Sequence, residues 1–216
     1  MSEAATAGSL PALLSVNVGR PRIVEWRGRP VTSAIWKTPV EGPVPVRGVN
    51  LAGDDQADRR VHGGPDKAVY AYAAEDYEWW AHTKGPLDPG TFGENLTTTG
   101  IHLNRCHIGD RWHVGTTVLE VAQPRMPCFK LGIRMGDDTF PGRFADARRP
   151  GAYLRVIVEG ALAAGDTIDV EPAAPPAVSV GDLVTEDLTD GLLQRVAADP
   201  RVPDAWRRSA ARALTR

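Results

Sequence analysis

The chain is poor in cysteine, with two in 216 residues. So few cannot staple a disulfide scaffold, and they fit a reducing compartment. Net charge is equally scarce: 25 Lys and Arg stand against 27 Asp and Glu, giving −2 at neutral pH. That balance offers no global attraction to nucleic acid or to an anionic membrane surface, and neither is expected as a partner. Long apolar runs are missing too, so no bilayer span is expected. Residues 1–10 are small and polar, lack the basic start and apolar stretch of a secretory signal, and read as disordered. These absences lead to the expectation of a soluble cytoplasmic protein.

Glycine and proline are plentiful, at 22 and 18. They punctuate short runs at 13–18, 33–36, 44–49, 67–72, 110–114, 116–122, 153–158 and 167–170 that read as strands. The Arg/Gly/Pro-rich segment 20–29 reads as a loop. One helix is expected over 75–84, with Tyr77, Trp80 and Ala81 on one face and Gly85 as its C-cap. Gly-Asp recurs at 53–54, 109–110 and 165–166 and reads as turn chemistry. Many short strands and few helices predict a mixed α/β fold, predominantly β, built as a barrel over residues 11–171. A Pro/Ala-rich linker, 172–177, leads to a small three-helix bundle at 178–216. Its first helix is capped by Ser179 with Asp182 three residues on. The second shows Leu188, Leu192 and Val196 on one face, and the third opens at Pro203 with Trp206, Ala210 and Leu214. This tail carries no catalytic constellation and reads as a docking or dimerisation module, which fits a homodimer.

Chemistry concentrates in residues 121–130, where the β-branched strand run 116–121 meets Pro124 and Pro127 and the chain leaves the sheet as a fixed loop. Cys128 ends that loop between Arg125 and Lys130. Nearby cations favour the thiolate, which can be a nucleophile, a redox sensor or a soft-metal ligand. The plainer reading is a small buried hydrophobe, and Cys106 takes that reading. A second unusual stretch is His62-Gly63-Gly64-Pro65-Asp66-Lys67, a turn where backbone can approach a ligand closely. His62 there orients the loop, and Asp66 pairs with Lys67 or Arg125. A zinc set of His62, Cys106, His107 and His113 matches no familiar ligand spacing. Glu94 and Asn95 stabilise turn backbone near a pocket.

Taken together, Gly53-Asp54 with Asp58, the His62–Lys67 stretch, Phe92-Gly93-Glu94-Asn95-Leu96, Ile108-Gly109-Asp110, and Gln123-Pro124-Arg125 with Pro127-Cys128 and Lys130 resemble the MOSC family. That family is the molybdenum-cofactor-sulfurase C-terminal domain, and the likeness is to its YiiM-like branch. The tail, with Trp206-Arg207, resembles the three-helix domain appended to that branch. The resemblance implies a MOSC-type β-barrel binding the molybdenum cofactor, a molybdopterin, with Cys128 as molybdenum ligand. It implies reduction of N-hydroxylated compounds such as hydroxylaminopurines and amidoximes, and so an electron-donor reductase as partner. It also implies two basic residues near the metal. Arg29 and Lys37 match them, with Arg first and Lys second. Cys128, Arg29 and Lys37 form the expected catalytic set, and His62, Gly63, Gly64, Lys67, Asn95 and Arg125 the cofactor-binding set. Within the former, Arg29 orients and stabilises charge while Lys37 is the better candidate acid, because a guanidinium does not give up its proton; the alternative is that both bind the pterin phosphate. Two other readings stand beside this one: a cofactor carrier or sulfur-transfer module using Cys128, and a thiol sensor.

Overall fold

A computed structural model describes residues 10–55, 63–185 and 187–215. The first part of the chain forms β1 (Ala12–Val18), β2 (Arg22–Trp26), β3 (Arg29–Ser33), β4 (Thr38–Pro39), β5 (Val44–Arg47) and β6 (Asn50–Leu51). Then come β7 (Val69–Ala73), α1 (Ala74–Lys84), β8 (Leu96–Thr99), β9 (Arg111–Val114) and β10 (Thr117–Pro124). Two short helices follow, α2 (Phe129–Met135) and α3 (Phe140–Asp146), and then β11 (Ala152–Val158), β12 (Gly160–Leu162) and β13 (Ile168–Glu171). The tail holds α4 (Asp190–Ala198) and α5 (Asp204–Ala213). No helix among the described residues is long and apolar enough to cross a membrane.

Eight strands share one sheet, in the order β13-β9-β10-β11-β7-β8-β1-β4. β7 and β8 run parallel because α1 carries the chain back between them. The sheet curls far enough that the β13 flank reaches β1. Leu13 N donates to Asp166 O at 2.9 Å, Gly165 N to Leu13 O at 2.8 Å and Ile168 N to Pro11 O at 2.7 Å. The only bridge at this seam among the described residues is Ala12 with Thr167. The fold is therefore mixed α/β and strand-rich, as expected, but the ladders do not establish a closed barrel. β5, β6 and β12 form a small side sheet.

Several elements differ from the sequence-based expectation. Segment 20–29 is largely a strand, because β2 and β3 form a hairpin that pairs only with itself. Arg27 (φ 51°) and Gly28 (φ 72°) make its turn, and two left-handed residues match the natural twist of paired strands. Residues 34–37 leave the strand as irregular chain. β10 continues to Pro124, opposite Ala152, past a register shift between Val121 and Gln123. Proline is tolerated there because the ladder ends with it. α2 and α3 were not expected. The expected three-helix bundle is two α-helices and a 3-10 turn, Gly181–Val184. Ser179 and Asp182 do cap that turn reciprocally, at 2.9 and 3.0 Å. Leu188 lies before α4 and is exposed, so Leu192, Leu193 and Val196 carry the buried face.

The buried cluster of the sheet includes Leu13, Val16, Trp112, Leu119, Val121 and Leu154, and it continues into Val178, Val180, Leu192, Val196 and Val202 of the tail. A second, largely aromatic cluster joins Tyr70, Tyr72, Tyr77, Trp80, Phe92, Phe140 and Phe144. At the junction of tail and sheet, Trp206 donates its indole N–H to Gln123 Oε1 at 2.8 Å, and Gln123 Nε2 donates to Asp66 O at 3.1 Å. Trp206→Ala removes a half-buried ring and leaves a buried amide oxygen unpaired. We expect it to cost about 2–3 kcal/mol, read as a lower urea midpoint with unchanged slope. An unchanged midpoint would show that the tail does not lean on this contact.

Candidate functional site

β10 delivers Cys128 to a cleft whose other walls come from the 33–37 segment, the 3-10 turn Pro65–Lys67, Tyr70 of β7, the Gly93–Asn95 loop and Tyr153 of β11. Cys128 is half-buried and caps α2, with its carbonyl accepting from Leu131 N at 2.9 Å. Three residues earlier Arg125 is buried, at 6% exposure. Its guanidinium donates to Phe92 O and lies 4.9 Å over the Tyr70 ring and 6.0 Å from that of Phe144. Burial works against this charge, while Tyr70, Tyr153 and Cys128 favour it. The loop that bears the thiol is thus fastened from behind, and Lys67 and Lys130, both half-buried, line the cleft from other sides.

Lys37 is buried at 9% exposure, and its Nζ lies 2.5 Å from Asp54 Oδ2. Burial pushes its pKa below the ordinary lysine range. The charge of Asp54 and the hydrogen bond to it pull the other way, Glu94 assists them, and Arg125 opposes. Asn95 Nδ2 donates to the same Asp54 oxygen at 2.9 Å and to Asn17 O at 3.3 Å, while Asn95 Oδ1 accepts from Tyr70 N at 3.2 Å. Behind Asn95 runs a buried polar chain. Ser15 donates to Asn17, Asn17 to Thr97 Oγ1, and Thr97 to Glu94 Oε1, at 2.8, 3.1 and 2.9 Å. Glu94 Oε1 also accepts from Tyr77 OH at 2.5 Å and Gly90 N at 2.6 Å. Burial raises the Glu94 pKa, with these donors acting against the rise.

Of the residues expected from sequence, the structure gathers Cys128, Lys37, Lys67, Asn95 and Arg125 on one cleft. Arg29 is a correction. It is exposed beside the turn of the β2–β3 hairpin, paired with Trp26, and does not line the cleft. Ser33, which does, is four residues along the strand, about 13 Å away. Gly63 and Gly64 lead into the turn that presents Lys67 and do not themselves line the cleft; Gly64 has φ 96°. His62 and Asp58 lie outside the described residues. Asp66 pairs with Arg155 at 2.6 Å, rather than with Lys67 or Arg125. Ser33, Ala34, Ile35, Asp55, Tyr70, Gly93, Lys130 and Tyr153 complete the lining. Only topology reveals the tyrosines, since both read as strand core in sequence. Among the described residues no group of three or more His, Cys, Asp or Glu is placed to hold a metal.

The MOSC domain family model matches residues 58–169. An uncharacterized protein, YflK of Bacillus subtilis (strain 168), is 32% identical over 203 residues, which cover 92% of each chain. A protein named only as a reductase, from Gibberella moniliformis, is 36% identical over 173 residues, 78% of this chain and 30% of its own length. Among solved structures, YiiM from Geobacillus stearothermophilus matches with a TM-score of 0.76 at 30% identity, over 94% of this chain and 99% of that one.

The two thiols are expected to behave differently. Cys106 is buried, and burial, with Asp110 nearby, pushes its pKa up to about 12. A folded-state pKa above the unfolded value stabilises the fold fully below the ordinary thiol range. That contribution is lost as pH rises toward 12. At pH 8 a maleimide should therefore modify Cys128 alone, as read by mass spectrometry, and Cys106 should react only after unfolding. Above about pH 9 the denaturation midpoint should fall. Equal labelling of both thiols in the native chain would contradict this placement.

Proposed function

The chain belongs to the MOSC domain family, and on that premise we propose that it is a molybdenum-cofactor-binding oxidoreductase that reduces N-hydroxylated compounds, with Cys128 as the molybdenum ligand. The observation that carries the reading is a half-buried thiol in a cleft shared with Lys37, Lys67, Arg125 and Lys130. One soft sulfur donor suits a molybdenum that brings its other ligands with its pterin. Surrounding cations suit the negative charge of a pterin phosphate. The residues present therefore fit the group. Cys128 would hold the metal, Lys67 and Lys130 would hold the anionic remainder, and Arg125 would support the thiolate from behind. A relative named as a reductase supports the reaction class.

Replacing N–OH by N–H consumes two electrons and two protons and releases one water. When bound, the cofactor supplies the electron pair, which a redox partner must replenish. The chain's own residues handle binding, water and protons. Tyr70, Tyr153 and Ile35 wall the cleft and limit water. Tyr70 is not free to donate there, because its hydroxyl is spent on Pro150 O at 2.7 Å. Arg125 stabilises charge and keeps its protons. Lys37 carries a proton at Nζ that it can surrender, and burial makes that surrender easier. A cation in a site poor in water stabilises a departing oxygen far more than it would in bulk.

In a host that makes the cofactor, Cys128→Ser should leave the fold intact and abolish reduction of an amidoxime or a hydroxylaminopurine. Activity equal to that of the unaltered chain would remove Cys128 as ligand. Stoichiometric molybdenum without any turnover of N-hydroxy substrates would favour a cofactor carrier. Lys37→Met should lower turnover by about 10²–10⁴-fold with molybdenum content unchanged. A loss of molybdenum that accounts for all the lost activity would assign Lys37 to anchoring instead.

A further inference from the structure

Gly53-Asp54 reads in sequence as a turn, yet the Asp54 side chain does little local work. Its Oδ1 accepts from Gly19 N at 2.8 Å, and its Oδ2 accepts from Asn95 Nδ2 at 2.9 Å and meets Lys37 Nζ. The carboxylate is 1% exposed. The backbone it faces is equally fixed. A Cβ on Gly19 would fall 2.4 Å from Trp36 O, and one on Gly90 would fall 2.6 Å from Lys37 O, so two glycines clamp the chain at 36–37. A Cβ on Gly93 would fall 2.7 Å from the Ile35 side chain and 3.3 Å from its carbonyl oxygen. Such close approaches fix where the lysine leaves the backbone, and the ion pair fixes where it ends.

We propose that Asp54 is a positioning residue that keeps the Lys37 ammonium charged and aimed along the cleft wall. An ammonium this deeply buried tends to shed its proton unless an anion pairs with it. Asp54 supplies that anion, and Asn95 and Gly19 hold it in register. The other charges facing Lys37 are Glu94, which favours its proton, and Arg125, which opposes it, with Asp55, Lys67 and Lys130 elsewhere on the cleft lining. In the proposed reduction, this arrangement makes Lys37 a loaded acid at neutral pH rather than a neutral amine. The inference rests on that reaction only for its consequence, because the contact between Lys37 and Asp54 is made without any bound group.

Lys37, Lys67, Lys84 and Lys130 are the chain's only lysines, so lysine-labelled NMR gives few signals, and Lys37→Met assigns the one of interest. Titrating the full chain without cofactor should show Lys37 charged at pH 7. In Asp54→Asn its midpoint should fall by at least one pH unit, about tenfold in proton affinity, while the Lys84 signal stays put. In the molybdenum-loaded protein the alkaline limb of kcat/KM should fall by the same amount, which a merely structural role would not cause. A Lys37 midpoint that is unchanged or higher in folded Asp54→Asn overturns the proposal. Should that variant fail to fold, Asn95→Ala keeps both charges and removes one support. Its Lys37 midpoint should also fall, and an unchanged one overturns the proposal equally. If the midpoints move as expected but the loaded wild-type chain reduces no N-hydroxy compound, the ion-pair inference stands and the proposed function falls.

Discussion

A guanidinium taken out of water constrains everything around it. Arg125 is buried on the Tyr70 and Phe144 rings and spends a donor on the Phe92 carbonyl. Burying a charge is costly unless its face and its edges are both occupied. Ring faces and a carbonyl supply both here, so β7, the loop before β8, and α3 must all arrive at one point. α2 and α3 have seven residues each, too few to persist alone. They hold because Leu131, Phe140 and Phe144 complete the cluster under Arg125. The position of Cys128 is thus a consequence of aromatic packing three residues earlier in the chain.

The tail joins the same construction from the opposite side. Gln123, at the end of β10, is held between the Asp66 carbonyl and the Trp206 indole. Arg155 bonds Asp66 at 2.6 Å, Glu120 at 2.9 Å and Arg201 O at 2.8 Å. Arg201 in turn binds Asp199 and the carbonyls of Ala174 and Pro176, which ties down the proline-rich segment. A lone surface ion pair contributes little, but a half-buried guanidinium with three acceptors on three different segments sets their spacing. The turn that presents Lys67 to the cleft begins at Pro65, beside Asp66, so the tail buttresses the cleft through residues that never enter it.

How far the sequence could be read follows from the range of the forces involved. Local chemistry was legible. The helix over α1, its Gly85 cap, the reciprocal Ser179–Asp182 cap and the burial of Tyr77, Trp80 and Cys106 follow from short-range pattern. Cys128, Lys37, Lys67, Asn95 and Arg125, all singled out from the motifs, do lie on one cleft. Misreadings arose where partners are distant. Asp110 and Asp166 do serve their own turns, accepting from His107 N at 2.7 Å and Ala163 N at 2.8 Å. Asp54 looks identical in sequence and serves residues 17 and 41 positions away. The β2–β3 hairpin was hidden because its turn, Arg27-Gly28, lacks the usual Asn or Asp before glycine. That omission displaced Arg29, which only looks close to Lys37 until the hairpin stretches it away.

The positive charges of the cleft fall into two physical kinds, and the division constrains what each can do. Lys67 and Lys130 are half-exposed on different elements, and their flexible stems let them follow a ligand at small desolvation cost. Such groups suit an anion whose position need be only roughly fixed. Arg125 and Lys37 are buried, each with a protein acceptor already engaged. The fold has met their desolvation cost in advance, which is of use only where charge must stand at one point before anything binds. Of those two, Arg125 has no proton to give and sits behind the thiol-bearing loop, whereas Lys37 can change its charge and sits across from it. Under the proposed reduction, the partition assigns tethering to the half-exposed pair, electrostatic support of Cys128 to Arg125, and the proton to Lys37. A cleft built merely to carry an anionic group would gain nothing from burying a lysine against an aspartate.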